Sequence, residues 1–265
     1  MATERLRVGV SACAGLLVAM VLAGCSRGSS PAVGASTTGQ ARAPIASPSI
    51  AASAWIQASA IPLYATYHWT SPASTAKSVK APVLSAVQDC RPALSSADHA
   101  ELGTFPAARA DLAPTSGASG GRDDWAARET ILATNGTSSG DIQGIYNLYT
   151  DLVAHLAKCA NTVSGAKASI AVNQGPEYAA TITIPTSAGS TLTWHEYLAA
   201  PYGYLVELSV YVAPYSGDKP SASWDGSSAS SVLGSLQSGP CSVTKLCRPH
   251  SGGLPLGRAA PASAA

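Results

Sequence analysis

Residues 179–213 read AATITIPTSAGSTLTWHEYLAAPYGYLVELSVYVA. The stretch holds three runs separated by short breaks. Ala179 to Ile184 alternates Thr with apolar residues, and Thr191 to Ala199 follows the break at Ala188-Gly189. Pro201-Tyr202-Gly203 then turns the chain into Tyr204 to Ala213. In that last run Val206, Leu208, Val210 and Val212 fall on one side, and Leu205, Glu207, Ser209 and Tyr211 on the other. Side chains of a strand alternate between its two faces, so a period of two between Gly and Pro breaks predicts antiparallel strands joined by tight turns.

Working back from this meander, the spacing predicts a helix over Asp141 to Cys159. Ile142, Ile145, Leu148, Tyr149, Leu152, Leu156 and Cys159 recur at intervals of three and four, which places them on one helical face. Ser139 is the expected cap, and Asp141 suits the positive end of the helix dipole. Trp125 to Thr134 reads as a strand that turns at Asn135-Gly136, and residues 91–121 read as irregular. Shorter helices are expected over Ser53 to Ala60, Ala81 to Cys90 and Ser227 to Leu236. The expected class is α+β: an antiparallel sheet with helices packed on one face, fastened by two disulfides.

The two ends of the chain differ in character from this middle. Arg5 and Arg7 precede a mostly apolar run from Val8 to Leu22 that closes in Leu22-Ala23-Gly24-Cys25. A basic start, an apolar centre and small residues at a cut are the layout of an export signal. The closing tetrapeptide resembles the bacterial lipobox, in which the Cys thiol takes a diacylglycerol and becomes the first residue of the mature chain. The expectation is therefore a lipoprotein signal over 1–24 and lipidation, with its palmitate-type acyl chains, at Cys25. A Ser/Gly/Ala/Pro tether over 25–49, a folded extracytoplasmic domain over 50–248 and a loose tail over 249–265 complete the organisation.

Composition narrows the choice of partners. The 265 residues include 16 Lys or Arg and 15 Asp or Glu, and only 12% are charged, which excludes a charged disordered chain. A net charge of +1 leaves no electrostatic footprint for nucleic acid. Of the six cysteines, Cys13 leaves with the signal and Cys25 carries lipid. The remaining Cys90, Cys159, Cys241 and Cys247 imply disulfides in an exported protein, with three pairings open. Cys90 and Cys159 both end apolar helical faces and should meet in the core, which leaves Cys241 with Cys247. A zinc site of Cys241, Cys247 and His250 matches no familiar ligand spacing, and neither a metal nor a cofactor is expected.

No motif commits the chain to catalysis. Ser-x-x-Lys occurs at Ser74/Lys77, Ser164/Lys167 and Ser242/Lys245 without the partner motifs of penicillin-recognising enzymes. His68, His155 and His195 are scattered, and Asp123-Asp124 offers too few carboxylates for Ca²⁺. The aromatics are more suggestive. Tyr64, Tyr67 and Trp69 crowd one short segment, and Trp194, Tyr197, Tyr202 and Tyr204 crowd the hairpin, with Trp194 and Tyr204 placed to face one another. Tyr64, Tyr67, Trp69, Trp194, Tyr197 and Tyr204 are the candidate walls of a ligand groove, packing of the core being the alternative role.

The order Ile61-Pro62-Leu63, Val83 to Cys90, Trp125 to Thr134, Asp141 to Cys159 and Ala179 to Ala213 resembles the extracellular sensor domains of actinobacterial lipoproteins and receptor Ser/Thr kinases, the PknH-like group. The resemblance covers about residues 55–240, rests on architecture and Cys placement, and lacks the Gly-Asp step after the second Cys. It implies a non-enzymatic, sensor-like binding module that takes an extracellular ligand in a cleft, with no catalytic residues to carry over. The rival expectations are a cell-envelope protein that stacks glycans on aromatic rings and a serine hydrolase.

Overall fold

The strands read at 179–213 form one side of a seven-stranded, wholly antiparallel sheet. The structure, a computed structural model, describes residues 50–80, 82–84, 90, 95–115, 123–186, 189–214 and 219–244. Its strands are β1 (Lys77–Val79), β2 (Ala107–Leu112), β3 (Ala126–Ala133), β4 (Lys167–Gln174), β5 (Glu177–Pro185), β6 (Thr191–Ala199) and β7 (Tyr204–Val212). They lie in the order β1-β2-β3-β7-β6-β5-β4. Strands β4 to β7 make a meander whose last strand docks on β3, and β1 and β4 form the two edges. The helices are α1 (Tyr64–Tyr67), α2 (Pro72–Thr75), α3 (Ser96–Leu102), α4 (Ser139–Ala157), α5 (Cys159–Thr162) and α6 (Ala229–Val243).

Two cores sandwich the sheet. On one face Ile145, Leu148, Tyr149, Leu152 and Leu156 of α4 pack against Leu132, Ile182, Trp194, Leu198 and Leu205. On the other, Val232, Leu233 and Leu236 of α6 join Trp55, Ile61, Leu63, Tyr67 and Trp69 of the N-terminal segment over Ile131, Tyr197, Val206, Leu208 and Val210. The α+β class with its antiparallel sheet stands, but the helices cover both faces rather than one. Glu207 and Ser209 in alternation with the valines suggest a solvated face, yet both are fully buried beneath helical cover.

Several local expectations are also corrected. The segment 91–121 is not irregular throughout, since it contains α3 and β2. Strand β4 precedes the three strands read at 179–213 and pairs with β5 along a bulge at Ile170/Val172. The cap of α4 is Ser138, not Ser139: its Oγ accepts from the Asp141 N–H at 3.1 Å and donates to the Asp141 carboxylate at 2.7 Å. Ser53 to Ala60 forms two 3₁₀ turns, Ala52–Ala54 and Ala58–Ala60, rather than a helix. The last helix runs on to Val243. Residues 82–84 are not helical, and most of the helix expected over Ala81 to Cys90 lies outside the described residues.

Among the described residues one disulfide is complete, Cys90–Cys159, as expected from their helical faces. Cys241 is also disulfide-bonded, and the expectation for Cys247 falls outside the described residues. So do the readings of the signal, Cys25, the tether, the His250 ligand and the tail. No helix of the described residues is long and apolar enough to cross a membrane.

Candidate functional site

Five of the six candidate aromatics gather in or at the margin of the α6-side core, and one lies on the opposite face of the sheet. Tyr67 and Trp69 stack at 4.7 Å in the core beneath α6. The Trp69 Nε1–H donates to the Pro62 carbonyl at 2.8 Å, and the Tyr67 hydroxyl donates to the Asp124 carboxylate. Tyr197 is buried in the same core, and Tyr64 and Tyr204 pack half-buried at its margin. Trp194 points to the opposite face, where its register partner is Tyr211, with rings 4.2 Å apart. Tyr204 pairs instead with Ala133 of β3, so the expected Trp194–Tyr204 contact across the hairpin does not form.

Asp124 ties together segments distant in sequence. Besides Tyr67, its carboxylate accepts from the Trp125 N–H at 2.9 Å, the Ser221 N–H at 3.0 Å and the Ser221 hydroxyl at 2.6 Å. Desolvation pushes its acidity the other way, but the Ser221, Tyr67 and Trp125 hydrogen bonds hold its carboxyl below the ordinary value. Beside it, His195 stacks on Trp224 at 3.4 Å and lies 5.6 Å from Trp125. Its Nδ1 shares a hydrogen bond of 3.0 Å with the Thr181 hydroxyl. Burial drives the imidazole down to about 4, against the pull of Asp225, so the ring is neutral at pH 7. The Ser-x-x-Lys spacing brings no helical serine–lysine pair together at Ser74: its hydroxyl donates to the Ser71 carbonyl at 2.7 Å, and Lys77 lies on β1.

The sheet also buries three glutamates that sequence reading passed over. Glu129 of β3 lies on the α6 side of the sheet, where its Oε1 accepts from the Ile56 N–H at 3.1 Å and its Oε2 has no hydrogen-bond partner among the described residues. Glu196 and Glu207 lie on the α4 side. Ser209 donates to Glu196 Oε2 at 2.5 Å. Glu196, Thr130 and Ser209 lie within hydrogen-bonding reach of the Glu207 carboxyl, and with the charge of Arg128 they pull against its desolvation. Desolvation is the main cause of a rise to about 8 at Glu129 and about 7 at Glu207, and it lifts Glu196 well above the ordinary value with Glu207 opposing its charge. Their signal in the sequence is a carboxylate inside an apolar strand. Among the described residues no group of three or more His, Cys, Asp or Glu forms a metal cluster.

Among the described residues, recesses that reach solvent lie at two places. One, of about 190 Å³, lies between the β3–α4 and β6–β7 turns and includes Asn135, Thr137, Tyr202 and Tyr204. The larger, of about 550 Å³, lies at the β1 edge and is lined by Ser74, Thr75, Lys77, Ser78, Arg109 and Asp111 among others. Its volume falls within the range of small-molecule sites. Lys77 stands directly opposite Arg109 across β1 and β2. Asp111 forms an ion pair with Arg109 Nε at 3.4 Å and accepts a hydrogen bond from Arg128 Nε at 2.6 Å. The sequence raises Lys77 only as the partner of Ser74 in a Ser-x-x-Lys spacing and does not raise Arg109, because only the strand register brings the two together.

No protein-family model and no curated protein matches the chain. Among solved structures it has a distant likeness of fold to the crystal structure of the extracellular domain of PknH from Mycobacterium tuberculosis. The identity is 12%, the match covers 61% of this chain and 81% of that one, and the TM-score is 0.34.

Proposed function

We propose that this protein is a lipid-anchored extracytoplasmic binding module of the sensor type, without catalytic activity. The observation that carries the reading is the Cys90–Cys159 disulfide, whose two cysteines are wholly buried and 69 residues apart. A structural bridge of this kind persists in oxidising compartments and is rare where thiols are kept reduced. The basic-apolar-small run ending at Cys25 supplies the route to such a compartment and a thiol for the diacylglycerol. The open recess at the sheet edge supplies a place for a ligand.

Metabolic labelling with palmitate tests the anchor. The wild-type chain is expected to take label and to fractionate with membranes. Cys25→Ser is expected to lose the label and to accumulate unprocessed or released. Normal palmitate incorporation into the variant overturns the anchored reading.

A further inference from the structure

We infer that the recess at the β1 edge binds a small molecule through a phosphate-type oxyanion, with Lys77 and Arg109 as the residues that grip it. The register sets these two cations directly opposite each other across an antiparallel pair, an arrangement that is unfavourable when nothing lies between them. Both line the recess. Among the described residues Lys77 makes no ion pair, and Arg109 has Asp111 as its charged partner. Asp111 also lines the recess, but it spends one oxygen on Arg109 and the other on Arg128. Within the recess one carboxylate therefore stands against two cations, and that carboxylate is shared with Arg128 outside it.

The arrangement has a plainer use, since a lysine on a short edge strand also discourages pairing with another chain. That use does not call for an arginine opposite it, nor for a concavity between them. A dianion matches two adjacent cations in charge, and the forked guanidinium donates in parallel to two oxygens of one phosphate. At about 550 Å³ the recess exceeds the needs of a bare tetrahedral ion, which favours an organic phosphate over an inorganic one. The inference rests on the binding-module reading but not on the lipid anchor.

Isothermal titration of the full chain with glucose 6-phosphate, inorganic phosphate and glucose tests it. The two phosphates are expected to bind, the ester more tightly, with affinities that weaken as salt is raised. Glucose is expected not to bind. Lys77→Gln alters an exposed side chain and is expected to weaken glucose 6-phosphate about tenfold or more. Arg109→Gln is expected to do the same, with circular dichroism confirming the fold. Absence of phosphate binding at millimolar concentration, or binding unchanged in both variants, overturns the inference. A ligand of another class seated in the same recess would also overturn it, while leaving the binding-module reading in place.

Discussion

Glu129 stands in the middle of β3 with no exposed surface, on the α6 side of the sheet, and burial raises its pKa to about 8. An unfolded glutamate titrates near its ordinary value of 4.5. Between those values the native chain holds a proton that the unfolded chain has lost. Stability therefore falls as pH rises through this window. His195 has the opposite sense: lowered to about 4 from 6.5, it makes stability rise with pH over that lower interval. Above about pH 6.5 the carboxyl slopes remain, that of Glu207 ending near its value of about 7. Glu129→Gln keeps an acceptor for the Ile56 N–H and abolishes the titration. Urea unfolding at several pH values should show the variant gaining on the wild type from pH 6.5 to 8, by up to about 1.4 kcal/mol per unit. Parallel stability curves for the two proteins would mean that the carboxyl is ionised in the fold.

At the scale of elements, the seating of α6 on the N-terminal turns decides whether the lower core closes. A methyl at Gly239 would lie 2.4 Å from the Ala54 carbonyl oxygen, which is main chain and cannot swing aside. Gly239→Ala should therefore cost about 1–3 kcal/mol in urea unfolding as α6 is levered away. Gly234, on the same helix, has nothing within 4 Å, and Gly234→Ala should stabilise by about 0.5–1 kcal/mol through helix propensity. Equal effects of the two would show that α6 does not pack through Gly239. The same scale explains what the sequence made legible. β5, β6 and β7 were readable because threonines, valines and aromatics alternate there between Gly and Pro breaks, and α4 because its leucines keep a helical interval. β2 reads AARADL, with alanine where strand formers would announce it, and is buried by its neighbours rather than by its own propensity. β4, KASIAVNQ, is an edge strand of largely exposed residues, and its bulge between Ile170 and Val172 sends Ala168 and Val172 to opposite cores, so its alternation marks no single buried face. The candidate site was less legible than either, because Lys77 and Arg109 are 32 positions apart in number and meet only through the pairing of β1 with β2.

Across the whole molecule, the Cys90–Cys159 bridge closes a loop that contains α3, β2, β3 and α4, two of the seven strands together with the long helix that covers one face of the sheet. Both half-cystines lie in the α4-side core with Leu84, Leu102 and Leu156, where their sulfur atoms also serve as apolar packing. The helical interval that ends at Cys159 made the pairing readable, but the structure adds that the enclosed β3 pairs with β7, which lies outside the loop. On the chain-entropy account, closing a loop of 69 residues restricts the unfolded chain by about 4 kcal/mol. That is a large share of the net stability of a single domain, typically about 5–15 kcal/mol. Unfolding in guanidinium with and without reductant should show the midpoint fall on reduction. The denaturant dependence should steepen, because an uncrosslinked unfolded chain exposes more surface. Cys90→Ala and Cys159→Ala should each reproduce the part of that fall that belongs to this bridge, the Cys241 disulfide being reduced as well, and together they should cost little more than one alone. Additive losses in the double variant would show that packing of the two side chains, and not the crosslink, supplies the stabilisation.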